Sequence, residues 1–242
     1  ALLAVIAQGV LGGLRVTLLK DEIGIFHALL AQAFLGLLVL IALLTSKSWF
    51  RFVAQCQVSG HARLLAKIAV ATTAVIYFQL ALGATMRHQH RDLAITDFPT
   101  AYRHWWPQTD PATLTRINAV REAAAISEVT GAQIWLQMAH RFGAVIIAGG
   151  ITLFWAAARR AGVWPLHALS LAWLLGMMVQ ITLGAWTIWS NKAADITTAH
   201  VGIGATLLAL GVAICAFSLR LQKGVSVWDI PTRHFQSEPV AV

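Results

Sequence analysis

Three histidines stand in matching settings along the chain. Gln8, Leu11 and Gly12 precede His27; Gln79, Leu82 and Gly83 precede His140; Gln180, Leu183 and Gly184 precede His200. Each Q-x-x-L-G lies near the end of one apolar segment, and each histidine near the start of the next. Three such occurrences form an internal repeat. Neutral imidazole is a good iron ligand, and a bis-histidine heme needs two helices presenting rings from opposite sides. One helical turn beyond the histidines stand Ala31, Ala144 and Gly204, small residues that leave space for a flat macrocycle. No Asp, Glu or Cys lies three or four residues from any of the three, so other metal ions find no coordination shell there. The bland alternatives are that each ring hydrogen-bonds a neighbouring helix and that the repeat glutamines and glycines only pack hairpins together.

The elements that position these rings are membrane spans. The chain has 242 residues, 58% hydrophobic and 12% charged, with mean hydropathy +0.69. Such a composition is too apolar for a water-soluble domain of this size. Six segments are long enough to cross a bilayer: Ala1 to Leu19, Ile25 to Leu44, Leu65 to Met86, Gln133 to Ala157, Pro165 to Trp189 and Ile196 to Leu219. An all-α membrane protein follows, with the lipid bilayer as its surroundings. The formal net charge of +8 comes from residues scattered at the ends of apolar segments, which argues against nucleic acid.

Lys47, Arg51, Arg63, Lys67, Arg159, Arg160, Arg220, Lys223 and Arg233 gather at one set of ends, which the positive-inside rule assigns to the cytoplasm. His27, His140 and His200 then share the outer third of the membrane, where ionisable side chains are costly and are functional candidates. The third to sixth segments form a four-helix unit, residues 65–219, in which His140 and His200 can ligate one heme. Residues 1–64 supply His27, whose partner is expected from a preceding hairpin. Residues 220–242 form a cytoplasmic tail.

Arg15, Arg87 and Arg141 lie near the outer surface and read either as bidentate partners of heme propionates or as snorkelling interfacial residues. His88, His90 and His104 belong to the long outer loop, residues 87–132, and are either solvated or at a cofactor edge. His61 and His167 have no repeat partner. In the same loop Leu114, Ile117, Val120, Ala124 and Ile126 follow a helical period, either on the membrane surface or packed on other outer turns. Trp105, Trp106, Trp135, Trp186 and Trp189 read as interfacial anchors. Cys56 and Cys215 share no metal-like spacing and imply no disulfide framework.

The motifs QMAHRFG at Gln137 to Gly143, TAHVG at Thr198 to Gly202, QGVLGGLRVT at Gln8 to Thr17, FHALLA at Phe26 to Ala31 and TDFP at Thr96 to Pro99 resemble the heme A synthase family over nearly the whole chain. The resemblance implies eight spanning helices in two pseudo-symmetric four-helix halves. It implies heme b as cofactor, with His140 and His200 as axial ligands. It further implies that the other half receives heme O, with His27 as one ligand, and oxidises a methyl group to formyl, giving heme A for cytochrome oxidase. The family's fourth histidine and a catalytic glutamate belong to a hairpin expected before Ala1, so no catalytic acid is assigned here. Also implied are a bacterial cytoplasmic membrane with the heme sites toward its outer side, heme O synthase as supplier, and a place in cytochrome oxidase assembly. Homo-oligomerisation is left open. The stretch from Tyr102 to Ala132 is longer than the resemblance leads one to expect. The alternatives are an electron-transferring membrane b-type cytochrome and a non-catalytic heme-delivery protein.

Overall fold

The computed structural model describes residues 1–56, 60–88 and 93–223. Most of the expected tail, including Arg233, and His90 lie outside the described residues. The described chain is helical, in the order α1 (Leu2–Leu18), α2 (Asp21–Leu44), α3 (Lys47–Gln55), α4 (Ala62–His88), α5 (Pro111–Ala123), α6 (Gly131–Ala161), α7 (Trp164–Trp189) and α8 (Ala194–Leu221). Five of these, α2, α4, α6, α7 and α8, are long and apolar enough to cross a membrane. The protein is therefore multi-pass. α1, expected as a sixth span, has 17 residues. At 1.5 Å per residue that is about 26 Å, just under a typical hydrocarbon core.

Local chemistry sets the helix ends. Thr130 and Gln133 form a reciprocal capping box at the start of α6, which satisfies two otherwise orphaned donors. The same helix stops at Gly162, whose φ of 67° suits a residue without Cβ. Asp110 caps α5, with Pro111 at its first turn. Two tight turns join antiparallel helices. α1 passes to α2 through Leu19 and Lys20, and α7 to α8 through Ser190 to Ala193, with Leu19, Asn191 and Lys192 at positive φ. The short helix α3, not expected from the sequence, starts at Ser46, whose hydroxyl accepts from Trp49 N–H. Trp49 and Phe52 then pack on Phe217 of α8.

α4, α6, α7 and α8 each pack on two neighbours and close a ring, and α2 lies against α4 and α8, with α1 packed on α2. One end of this ring is solid. Leu65, Ile151, Phe154, Leu166, Trp173 and Ile214 are fully buried there. Trp173 Nε1 donates to the Leu207 carbonyl at 2.9 Å, and its ring meets Phe154 edge-on with centroids 6.0 Å apart. That end bears the basic residues Lys47, Arg51, Arg63, Lys67, Arg159, Arg160, Arg220 and Lys223, while every described Asp and Glu lies at the opposite end. The opposite, loop end is closed by residues 93–130.

The loop has a core of its own, in which Ile95, Ala101, Ile117 and Val129 pack on Ile134 and Met138 of α6. α5 joins it through Ile117 and the buried Arg121, and Val120 on its other side is 71% exposed. Of the two sequence readings of α5, its packing on the outer turns is the one seen. Arg121 ties the module together, donating to the carbonyls of Ser127 and Leu93 and to the Tyr102 hydroxyl.

Candidate heme site at the loop end of the ring

The repeat has a direct structural cause. A Cβ built on Gly12 would stand 3.3 Å from His27 Cε1, one on Gly83 3.5 Å from His140 Cε1, and one on Gly184 3.1 Å from His200 Cε1. Each repeat glycine is the surface on which the following histidine ring lies. In the two tight hairpins this follows from geometry, because residues equally distant from a turn face each other across antiparallel helices. Gly83 and His140 reach the same relation across the long loop.

The repeat glutamines contact the same histidines. Gln79 Nε2 donates to the His140 carbonyl at 2.6 Å, and Gln180 Nε2 lies 3.4 Å from His200 Nε2. With its amide turned to satisfy both ends, Gln8 Nε2 donates to His27 Nδ1 at 3.0 Å and to the His27 carbonyl at 3.2 Å, and Oε1 accepts from Ala31 N–H at 3.1 Å. The space expected one turn beyond the histidines is thus partly taken. Ala31 meets Gln8, and a Cβ on Gly204 would meet Gln180 Nε2 at 3.2 Å. Only Ala144 and Gly204 of the three small residues line the main cavity.

That cavity, of about 960 Å³, fills the loop end of the ring. His140 and His200 both line it, with apolar walls from Ile76, Leu80, Met138, Met177, Ile181 and Leu207. Nδ1 of both rings is buried with no hydrogen-bond partner among the described residues. An unpartnered buried imidazole nitrogen carries a desolvation cost that a bond to a ligand offsets. Among the described residues the rim is basic, with Arg15, Lys20, Arg87, Arg141 and Lys192 against a single acid, Asp21. An amphipathic ligand with anionic groups at the rim and two nitrogen-ligated faces would suit this shape. Among the described residues no three His, Cys, Asp or Glu side chains come together as a metal cage.

His27 is not in this lining. It lies between α1 and α2, against Gly12 and Gln8, on the residue next to the cavity-lining Ala28. The three histidines therefore divide into a pair sharing one cavity and a third across α2.

The three arginines all line the rim, but Arg141 has a second role that the sequence reading missed. Its Nη1 donates to the carbonyls of Pro99 and Thr100 at 3.0 and 2.6 Å, and its Nη2 to that of Asp97 at 2.8 Å. Gln137, one turn earlier and buried, accepts from Ile95 N–H at 2.7 Å and donates to Ile95 C=O at 3.3 Å. The Asp97 carboxylate shapes the same turn, accepting from the Thr100 hydroxyl and the amides of Tyr102 and Arg103. Burial works against its ionisation, yet those three hydrogen bonds outweigh burial and hold the carboxyl below its ordinary range.

His88 was also undervalued by the sequence. Its ring presses on α2 where Gly24 offers no side chain, with Nδ1 2.7 Å from the place of a Cβ, and it lines the cavity rim. The signal was its position beside Arg87 at the end of α4, together with a glycine three residues before His27. His104 lines a smaller pocket of about 470 Å³ within the loop module. Cys215 Sγ lies 3.3 Å from Thr73 Oγ1, and burial pushes the Cys56 thiol up although Arg220 opposes it. Both cysteines are free.

No match was found among curated proteins. The family model described as a cytochrome oxidase assembly protein, COX15-CtaA, matches residues 1–212, a span that holds all three glycine–histidine pairs, the cavity and the docked loop. The chain belongs to this COX15-CtaA family, the heme A synthase family of cytochrome oxidase assembly proteins.

Proposed function

We propose that the protein binds heme b between His140 and His200 and oxidises a methyl group of heme O to formyl by successive hydroxylations, an external oxidant taking up the four electrons, producing heme A, with His27 as a ligand of the substrate heme. The observation that carries this reading is the pair of imidazoles on α6 and α8 lining one cavity with apolar walls and basic residues about it. Heme b, when bound, supplies one-electron redox chemistry. His140 and His200 would hold it, and Arg15, Arg87 and Lys20 bring positive charge to the rim where anionic groups would lie. Gln79 and Gln180 fix the two histidines from outside, as outer-shell partners orient metal ligands. The apolar walls keep water from the rings. His27, with its own glycine and glutamine, gives the substrate a separate seat one helix away. In this reading the loop end faces the outer side of a bacterial cytoplasmic membrane, and heme O synthase supplies the substrate.

Spectroscopy of the purified full chain tests the pairing. His140→Ala or His200→Ala is expected to remove the low-spin b-type spectrum, and an unchanged spectrum in either variant would refute it. His27→Ala is expected to keep that spectrum while lowering heme A yield. Extraction and identification of the bound pigments decides the reaction: heme O or heme A beside heme b supports synthesis, and heme b alone points to a cytochrome or a carrier.

A further inference from the structure

Two residues of the QMAHRFG stretch flank His140 without contacting its ring through any bond described above. Gln137 and Arg141 are one helical turn apart on α6, and both hold the same piece of loop. Gln137 pairs with both backbone groups of Ile95, as a neighbouring strand would, and Ile95 is fully buried. Arg141 gathers three carbonyls of the turn that follows, those of Asp97, Pro99 and Thr100. Its guanidinium also lies 5.5 Å from the centroid of the Phe98 ring. Phe98 in turn meets Trp189, at the far end of α7, edge-on at 6.0 Å. Phe98 and Pro99 line the main cavity. The segment is thus fastened to α6 at two points and touches α7, spanning the mouth between them.

We propose that Gln137 and Arg141 are positioning residues that dock residues 95–100 as a roof over the cavity, shielding the His140 side of the heme site from water. The shielding rests on the heme reading above, whereas the docking stands on the hydrogen bonds alone. The chemistry explains the choice of residues. Three carbonyls converging on one point need a planar cation with several donors, which lysine does not supply. A primary amide can both accept from and donate to one peptide, which glutamate or methionine does not. Arg141 is then spent largely on the loop, and the propionates are left to Arg15, Arg87 and Lys20.

Hydrogen exchange of the detergent-solubilised full chain, read on the peptide containing residues 94–101, tests the docking. Arg141→Lys keeps charge and length, and Gln137→Met keeps shape, so both are expected to fold. In each, exchange at the segment should rise about tenfold, as for the loss of one buried or charged hydrogen bond. Unchanged exchange in both variants overturns the docking. The shielding is read separately, from the rate at which a water-soluble reductant, dithionite, reduces the bound heme at matched heme content. A several-fold faster reduction in Arg141→Lys is expected, and raised exchange with an unchanged rate overturns the shielding. A wild-type protein without heme b would sink the heme reading, and with it the shielding, while the exchange data still decide the docking.

Discussion

A Cβ on Gly184 would come 3.1 Å from His200 Cε1, whereas one on Gly83 would come 3.5 Å from His140 Cε1. The first distance forces the ring to give way, and the second is an ordinary van der Waals contact. Gly184→Ala is therefore expected to cost about 1–3 kcal/mol and to alter the low-spin spectrum, and Gly83→Ala to be nearly neutral. Thermal unfolding in detergent and the reduced-minus-oxidised spectrum measure both. Equal effects at the two sites would contradict the packing. Asp97 supplies the pH dependence at this scale. Its carboxyl is held below the ordinary value of about 4, so its stabilising effect is fully present above that value. It disappears as pH falls through the lower, folded value. Emission from Trp105 and Trp106, close after the turn, should report loosening of the loop in that acid range, and Asp97→Asn should abolish this transition.

At the scale of elements, α6 carries both the histidine and the two residues that hold the roof, so its start matters. Thr130→Ala removes half of the capping box and should cost about 1 kcal/mol. His140 lies more than two turns further on, so the heme spectrum should be unchanged. A lowered melting temperature with normal heme content is the expected result, and loss of heme would indicate that the cap orients the ligand. α2 also has two duties. His27 contacts Gly12 and Gln8 of α1, while Ala28, Leu29 and Gln32 line the cavity in the ring. One helix therefore separates the two histidine sites, and the Tyr77 hydroxyl ties it to α4 by donating to the Leu29 carbonyl at 3.2 Å.

Over the whole molecule, a close-packed end supports a hollow one. The ring can keep a cavity near His140 and His200 because its other end is filled by Trp173, Phe154, Leu65, Ile151, Leu166 and Ile214. Trp173→Ala removes the largest of these side chains and its bond to the Leu207 carbonyl, and should cost about 3–5 kcal/mol. Trp173→Phe keeps most of the packing and removes only the indole's added bond to that carbonyl, which the α8 ladder still serves, at about 1 kcal/mol. The expected order of melting temperatures is wild type, Phe, then Ala. An unchanged melting temperature and full heme content in Trp173→Ala would argue that this end does not support the cavity.

The sequence by itself determined the long apolar helices, their approximate ends and the facing of two of the three glycine–histidine pairs, but not the short α3. Apolar length fixes a span, and a tight turn fixes which residues oppose each other, so Gly12 with His27 and Gly184 with His200 were implied by position alone. α1, read as a sixth span, is an apolar helix of 17 residues ending at Leu18. The pairing of His140 with His200 was legible too, since both belong to the four-helix unit of residues 65–219; tertiary structure alone decided that both rings line one cavity and that His27 does not. Depth in a bilayer, which is what the sequence reads, is a one-dimensional quantity and does not tell that His27 lies across α2 from the other two. It also decided the partners of Arg141, Gln137 and His88. A long loop returns to a helix through hydrogen bonds to backbone carbonyls and amides, and backbone groups leave no signature in the order of side chains.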